Sequence, residues 1–114
     1  MTKTLENKRA LITGAGGGMG RSHAVLLAER GADIIVHDIK AEGAEETAVM
    51  VRNFGQEATV LVSDIREVEN FVAAVRGAGP IDILVNNAGV GGMGRKFEDI
   101  DLDIFNEMFE VHVR

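Results

Sequence analysis

Near the start of this sequence stands the glycine-rich stretch Thr13-Gly14-Ala15-Gly16-Gly17-Gly18-Met19-Gly20. An apolar run of strand length precedes it, and a pattern typical of a helix follows at once. Gly14 allows a tight turn out of the strand, Gly18 lets the backbone approach a pyrophosphate, and Gly20 lets the helix pack closely on the sheet. The N-terminus of that helix would offer N–H groups and a positive dipole end to phosphates. The alternative is a glycine-rich turn that binds no ligand.

Apolar runs of strand length alternate with helical patterns along the rest of the chain. The runs are residues 10–12, 34–36, 59–62 and 81–85, and they are nearly continuous, as expected for strands buried on both faces. The stripes at helical spacing are Ala24, Leu27 and Ala28, closed by Gly31; Ala44, Thr47, Ala48 and Val51; and Val68, Phe71, Val72 and Val75. This order predicts one doubly wound α/β domain with a parallel sheet, spanning residues 1–114.

A further helical pattern begins near Asp101 and continues to Arg114, where the sequence stops. Its apolar residues fall on two faces, which indicates two packing partners. They are Ile104, Met108 and Val111 on one face and Phe105 and Phe109 on the other. We therefore expect the domain to be truncated after the fourth strand and part of the following helix, and the isolated chain to be marginally stable.

Composition excludes several classes of protein. The net charge of −6 argues against nucleic acid or an anionic membrane surface as the main partner, because both are negatively charged. The absence of cysteine excludes disulfides and thiolate catalysis in this chain, and no residue cluster suggests a metal site. No stretch resembles a signal peptide or a membrane span, so we expect a cytoplasmic protein.

An acidic residue, Asp38, follows the second apolar run. In a doubly wound fold, a carboxylate at this place accepts hydrogen bonds from the hydroxyls of an adenosine ribose. A 2′-phosphate about 4 Å away would be disfavoured by about 1 to 4 kcal/mol, up to a few hundred-fold in affinity. The sequence therefore predicts NAD in preference to NADP, although Lys40 softens the repulsion. The alternatives are a solvated turn aspartate for Asp38 and a satisfied strand residue for His37.

These residues together resemble the short-chain dehydrogenase/reductase family. Its Thr-Gly-x-x-x-Gly-x-Gly loop is matched by Thr13, Gly14, Gly18 and Gly20, its Asn-Asn-Ala-Gly turn by residues 86–89, and its adenine-contacting acid by Asp64 with Ile65. The resemblance implies a Rossmann-type, three-layer domain. The resemblance and the glycine loop together give a set of predicted cofactor-binding residues. They are Gly14, Gly17, Gly18, Met19, Gly20, Asp38, Asp64, Ile65, Asn87, Ala88 and Gly89.

The resemblance also implies an activity and an assembly. The family transfers a hydride between a nicotinamide cofactor and an alcohol or carbonyl substrate, and its members form homodimers or homotetramers. Its catalytic set is an Asn, a Ser and a Tyr-x-x-x-Lys, but this chain has no tyrosine, so we expect it to be inactive alone. His112 stands at the family's Asn position. A histidine at this position is similar to the hydroxyacyl-CoA dehydrogenase branch of the family, which hints at an acyl-CoA substrate. The alternatives are that His112 keeps the proton-relay and water-holding role of the Asn, or that it has packing and hydrogen-bond duties only.

Two other functions stay open. One is a nucleotide-binding module or regulator without catalysis. The other is a methyltransferase, which also places a glycine loop and a strand-end acid near an adenosyl group. The longer glycine spacing and the turn at residues 86–89 weigh against the methyltransferase.

Overall fold

A computed structural model describes residues 4–87 as a parallel sheet with helices on both faces. The elements are β1 (Arg9–Ile12), α1 (Gly18–Glu29), β2 (Asp33–Asp38), α2 (Ala41–Arg52), β3 (Ala58–Val62), α3 (Val68–Gly77) and β4 (Ile83–Val85). The strand order is β3-β2-β1-β4, and every pair is parallel. The predicted α/β, Rossmann-type three-layer fold is thus confirmed, whereas the helix expected from Asp101 lies outside the described residues.

Each face of the sheet has its own apolar core, because successive strand residues point to opposite sides. On one side, the small residues of α1 and α2 pack against Ala10, Ile12, Ile34 and Val36; these helix residues are Ala24, Ala28, Ala44, Ala48 and Val51. On the other side, Phe71 and Val75 of α3 pack with Ile65, Ile81 and the strand residues Leu11, Ile35, Leu61 and Leu84. Small residues on α1 and α2 allow these helices to lie close to the sheet, next to the glycine loop.

The end of α1 matches the sequence prediction. Gly31 has a positive φ of 103° directly after the C-cap Arg30, so it occupies the left-handed position that glycine favours. Its N–H donates to Ala28 O at 3.0 Å, and the N–H of Ala32 donates to Leu27 O at 3.0 Å. These two bonds form a Schellman motif, which ends α1 and turns the chain into β2.

Two predictions about the strands need correction. Continuous apolar runs suggested burial on both faces, but β3 is an edge strand of the described sheet, and only its Leu61 is buried. Val62 is 49% exposed at the carboxyl end of β3. The fourth strand begins at Ile83 rather than residue 81. Next to it, Asp82 N donates to Arg9 O at 2.8 Å, while the Asp82 carboxylate accepts the N–H of Arg9 at 2.9 Å.

No helix within residues 4–87 is both long enough and apolar enough to cross a membrane.

Candidate functional site

The candidate site lies at the carboxyl ends of the strands, where the direction of the sheet's winding reverses. The chain runs from β1 outward to β2 and β3, then returns to place β4 on the other side of β1. At such a reversal a crevice forms outside the carboxyl ends of the strands, and this crevice is the usual ligand position in open α/β sheets. The glycine loop, between β1 and α1, borders this crevice.

The glycine loop adopts a conformation that few other residues permit. Gly14 and Gly18 have positive φ values of 64° and 53°, which lie in the left-handed region. Gly17 is extended and is the N-cap of α1, but it forms no side-chain capping bond, and the first turn of α1 carries no acidic residue. The positive end of the α1 dipole is therefore not neutralised by a local carboxylate in that turn, which suits an anion.

The three glycines that open α1 face different surroundings. A Cβ on Gly20 would overlap the carbonyl oxygen of Gly14 and lie 2.7 Å from Asn87 Nδ2. A Cβ on Gly17 or Gly18 would meet no atom of residues 4–87 within 4 Å. Gly20 is thus required by protein packing, while the loop at Gly17 and Gly18 borders open space. Met19, between Gly18 and Gly20, is 69% exposed.

Asp38, the last residue of β2, is joined to the glycine loop. Its Oδ2 accepts a hydrogen bond from Gly16 N at 2.9 Å, and its Oδ1 accepts one from Lys40 N at 3.0 Å. Both bonds orient the carboxylate toward a cleft of about 480 Å³. The residues lining the cleft are Gly14, Gly16, Gly17, Asp38, Lys40, Glu42 and Gly43.

His37 is a buried strand residue whose ring is satisfied, as predicted. Gly14 N–H donates to His37 Nδ1 at 3.3 Å, so Nδ1 is an acceptor, and Nε2 carries the proton that it donates to Ser63 O at 2.8 Å. The ring meets Phe71 edge to face, with centroids 4.9 Å apart. Burial lowers the pKa of the His37 imidazole, although the bond to Ser63 and the charges of two aspartates oppose this. The neutral ring supports the first turn of the loop.

The turn after β4 is tied to the turn after β1. Thr13 Oγ1 accepts a hydrogen bond from Asn87 N at 2.9 Å and lies 3.3 Å from Asn86 Oδ1. Asn87 Nδ2 donates to Gly14 O at 3.2 Å. These contacts hold the two sides of the crevice together. Of the turn's predicted cofactor-binding residues, Ala88 and Gly89 lie outside the described residues, as does His112.

Asp64 and Ile65, predicted to contact adenine, follow β3. The Asp64 carboxylate accepts hydrogen bonds from Arg66, from the backbone N at 2.9 Å and from Nη2 at 2.7 Å. The side-chain bonds from Arg66 hold the pKa of the Asp64 carboxyl below its usual value. Ile65 is 3% exposed and belongs to the apolar core beneath α3. Their contact with adenine stays a prediction.

Sequence reasoning assigned no site role to four residues around the loop. Gly16 and Gly43 line the cleft, while Arg21 and Thr47 lie behind the loop. Arg21 donates to Thr47 Oγ1 at 2.9 Å and to Gly16 O at 2.8 Å. Gly43 lies against the Gly16 carbonyl so closely that a Cβ would overlap it. One sequence signal could have indicated this contact: Thr47 is the single polar residue in the otherwise apolar buried stripe of α2, and a buried hydroxyl needs a hydrogen-bond partner.

Comparison with known proteins extends these observations. The family model described as short chain dehydrogenase matches residues 8–114. An uncharacterized oxidoreductase of Bacillus subtilis is 40% identical over an alignment 114 residues long, which covers 96% of this chain and 42% of that protein. The (-)-trans-carveol dehydrogenase of Rhodococcus erythropolis is 35% identical over an alignment 125 residues long, which covers 96% of this chain and 45% of that protein.

Among solved structures, carveol dehydrogenase from Mycobacterium avium in complex with NAD has a TM-score of 0.73 and 36% identity. The match covers 95% of this chain and 44% of that protein. The chain thus spans less than half the length of these similar proteins.

Proposed function

This chain belongs to the short-chain dehydrogenase family, and we propose that it is the dinucleotide-binding part of an NAD-dependent oxidoreductase. The complete protein would transfer a hydride between the nicotinamide cofactor and a secondary alcohol or ketone. The single observation that carries the proposal is the Asp38 carboxylate at the end of β2, bonded to the amide of Gly16 and bordering the cleft. A relative of known structure is described as an NAD complex, which supports the same cofactor class.

The glycine loop fits the pyrophosphate of a dinucleotide. The loop borders open space at Gly17 and Gly18, and α1 begins there with neither a side-chain cap nor an acidic first turn. Backbone N–H groups at a helix N-terminus attract phosphate oxygens through hydrogen bonds and the helix dipole. The residues that would hold the pyrophosphate are Gly14, Gly17, Gly18, Met19 and Gly20.

The remaining contacts are those that the resemblance to the family implies. Asp38 would accept hydrogen bonds from the hydroxyls of the adenosine ribose, and Asp64 with Ile65 would lie at the adenine. Asn87, Ala88 and Gly89 would lie beside the cofactor at the turn after β4. When bound, the nicotinamide supplies the hydride acceptor or donor, and the residues of this chain bind and orient it.

The preference for NAD over NADP follows from charge. Among the described residues that line the cleft, Asp38 and Glu42 carry negative charge and Lys40 is the one cation. A 2′-phosphate beside Asp38 would be repelled by about 1 to 4 kcal/mol at about 4 Å. The ribose hydroxyls of NAD would instead donate to that carboxylate, which favours NAD.

The substrate and assembly belong to the complete protein. The 114 residues include no tyrosine, so the proton-transferring residue of the family's catalytic set has no counterpart in them. We propose a cytoplasmic homodimer or homotetramer for the complete protein. An acyl-CoA substrate stays a prediction, since it depends on His112.

Binding measurements on the full-length gene product test the cofactor assignment. We expect isothermal titration to show binding of NAD, weaker binding of NADP by about tenfold or more, and no binding of S-adenosylmethionine. Asp38→Asn should reduce the preference for NAD by a similar factor. Glu42→Gln removes the same charge from the same cleft without touching the loop bond, so it should change the preference less than about threefold.

An unchanged preference in Asp38→Asn would contradict the ribose assignment. A protein that binds NAD tightly but transfers no hydride to any alcohol or ketone would instead support the non-catalytic nucleotide-binding module.

A further inference from the structure

Arg21 of α1 and Thr47 of α2 form a polar contact behind the glycine loop. Arg21 Nε donates to Thr47 Oγ1 at 2.9 Å, and Thr47 Oγ1 donates to Ala15 O at 2.7 Å. Thr47 is 0% exposed, so protein partners rather than bulk water orient its hydroxyl. The contact therefore fixes the direction of the Ala15 carbonyl.

The same peptide unit reaches the candidate ribose site. Its other end, Gly16 N–H, donates to Asp38 Oδ2 at 2.9 Å. The carbonyl and the N–H of a planar trans peptide point in opposite directions, and the described chain contains no cis peptide. Thr47 therefore holds the carbonyl of the Ala15–Gly16 peptide, and the N–H on the opposite side of that peptide holds the Asp38 carboxylate.

We propose that Arg21 and Thr47 are positioning residues for the cofactor's adenosine ribose. They act through the Ala15–Gly16 peptide and set where the Asp38 carboxylate meets the ribose hydroxyls. This inference rests on the proposed NAD-binding function and assigns to it two residues that do not themselves line the cleft.

The packing around this chain of bonds leaves little freedom for the peptide to shift. Arg21 Nη2 also donates to Gly16 O at 2.8 Å and to Glu46 Oε1 at 2.9 Å. A Cβ on Gly16 would lie 2.8 Å from Asp38 Oδ2, and a Cβ on Gly43 would overlap Gly16 O. The loop, α2 and the carboxylate are thus in direct contact, so a displacement of one peptide moves the carboxylate.

A merely structural role for Arg21 and Thr47 makes a different prediction. Joining α1 to α2 would stabilise the fold and would affect every dinucleotide equally. Positioning Asp38 affects the hydrogen bond to the ribose 2′-hydroxyl, which NAD makes and a 2′-deoxy analogue lacks. The discriminating quantity is therefore the ratio of the dissociation constants of the 2′-deoxyadenosine analogue of NAD and of NAD itself.

The experiment compares Thr47→Val with Thr47→Ser in the full-length gene product. A hydrogen bond to a charged group is worth about tenfold or more in affinity, so wild type should bind NAD at least about tenfold more tightly than the 2′-deoxy analogue. Thr47→Val, which lacks the hydroxyl, should lower this ratio by about fivefold or more. Thr47→Ser keeps the hydroxyl and should restore the ratio.

Arg21→Lys provides a second variant should Thr47→Val fold poorly. A lysine ammonium lacks the fork with which Arg21 reaches Thr47 Oγ1 and Gly16 O together, so the ratio should again fall. Asp38→Ala should bring the ratio close to one and calibrates the measurement.

The outcomes separate the two proposals. If Asp38→Ala abolishes the preference while Thr47→Val and Arg21→Lys retain the wild-type ratio, the positioning role is overturned and NAD binding stands. If the wild-type protein binds no NAD, or Asp38→Ala leaves the ratio unchanged, the proposed ribose site fails and the positioning role fails with it.

Discussion

Replacing Gly20 with alanine tests whether the glycine loop is shaped by protein packing. Gly20 lies in the first turn of α1, and a Cβ there would overlap the carbonyl oxygen of Gly14 and approach Asn87 Nδ2 at 2.7 Å. The overlapped atom is backbone, so it cannot be moved by a side-chain rotation. Either α1 must shift away from the sheet, or the turn at Gly14 must open.

The expected change in the free energy of unfolding combines two destabilising effects and one stabilising effect. Forcing an extra carbon into a packed interior costs about 1 to 3 kcal/mol. Losing the bond between Asn87 Nδ2 and Gly14 O, now 3.2 Å long, costs about 1 kcal/mol more. Alanine recovers about 1 kcal/mol through its higher helix propensity. The free energy of unfolding should therefore fall by about 1 to 3 kcal/mol in Gly20→Ala.

Two neighbouring glycines provide matched controls. A Cβ on Gly17 meets no atom of the described part of the chain within 4 Å, and the Gly17 backbone is extended. Gly17→Ala should therefore change the free energy of unfolding by less than about 0.5 kcal/mol. Gly18 is equally open but has a φ of 53°, so Gly18→Ala should cost about 1 to 2 kcal/mol through backbone strain alone. The series separates spatial overlap from conformational strain.

Urea denaturation of the full-length gene product and of the three variants measures these free energies. Titration with NAD shows in parallel whether the loop still binds. If Gly20→Ala proved as stable as Gly17→Ala, the close packing of α1 on the turn of β1 would be refuted.

Two further predictions concern ionisable groups. Burial lowers the pKa of the folded His37 imidazole below its usual value of 6.5, so the fold favours the neutral ring. This contribution to stability is present above pH 6.5 and is lost as the pH falls from there toward the folded pKa. Thermal melts of wild type and His37→Gln from pH 7.5 to 5 should show a shallower loss in the variant, and parallel curves would contradict the assignment. Hydrogen bonds from Arg66 lower the pKa of the Asp64 carboxyl, so Arg66→Gln should raise it in a carboxyl NMR titration, whereas an unmoved pKa would show that the pair does not form in solution.

Local patterns predicted the elements because their signals lie within a few residues. The stripe of Ala44, Thr47, Ala48 and Val51 is fully buried on α2, as its helical spacing required. Gly31 ends α1 because a left-handed residue is needed there, and glycine adopts it without strain.

Strand burial was predicted less well, and the reason is physical. An apolar run reports the hydrophobicity of a strand but not its place in the sheet. The run at residues 59–62 became the edge strand β3, where Val62 is half exposed. Whether a strand lies at the edge or the centre of a sheet depends on the order in which all strands pair, and a single apolar run does not encode that order.

The amino-acid order alone thus established the alternation of strands and helices, the glycine loop at the first turn and an acid at the end of β2. Each of these follows from side-chain periodicity or from the spacing of neighbouring residues. The partners of the polar groups emerged only on folding: Arg21 meets Thr47 across 26 positions, and Asp38 meets Gly16 across 22. Hydrogen bonds of this kind depend on distances and angles between packed helices and loops, which no local pattern specifies.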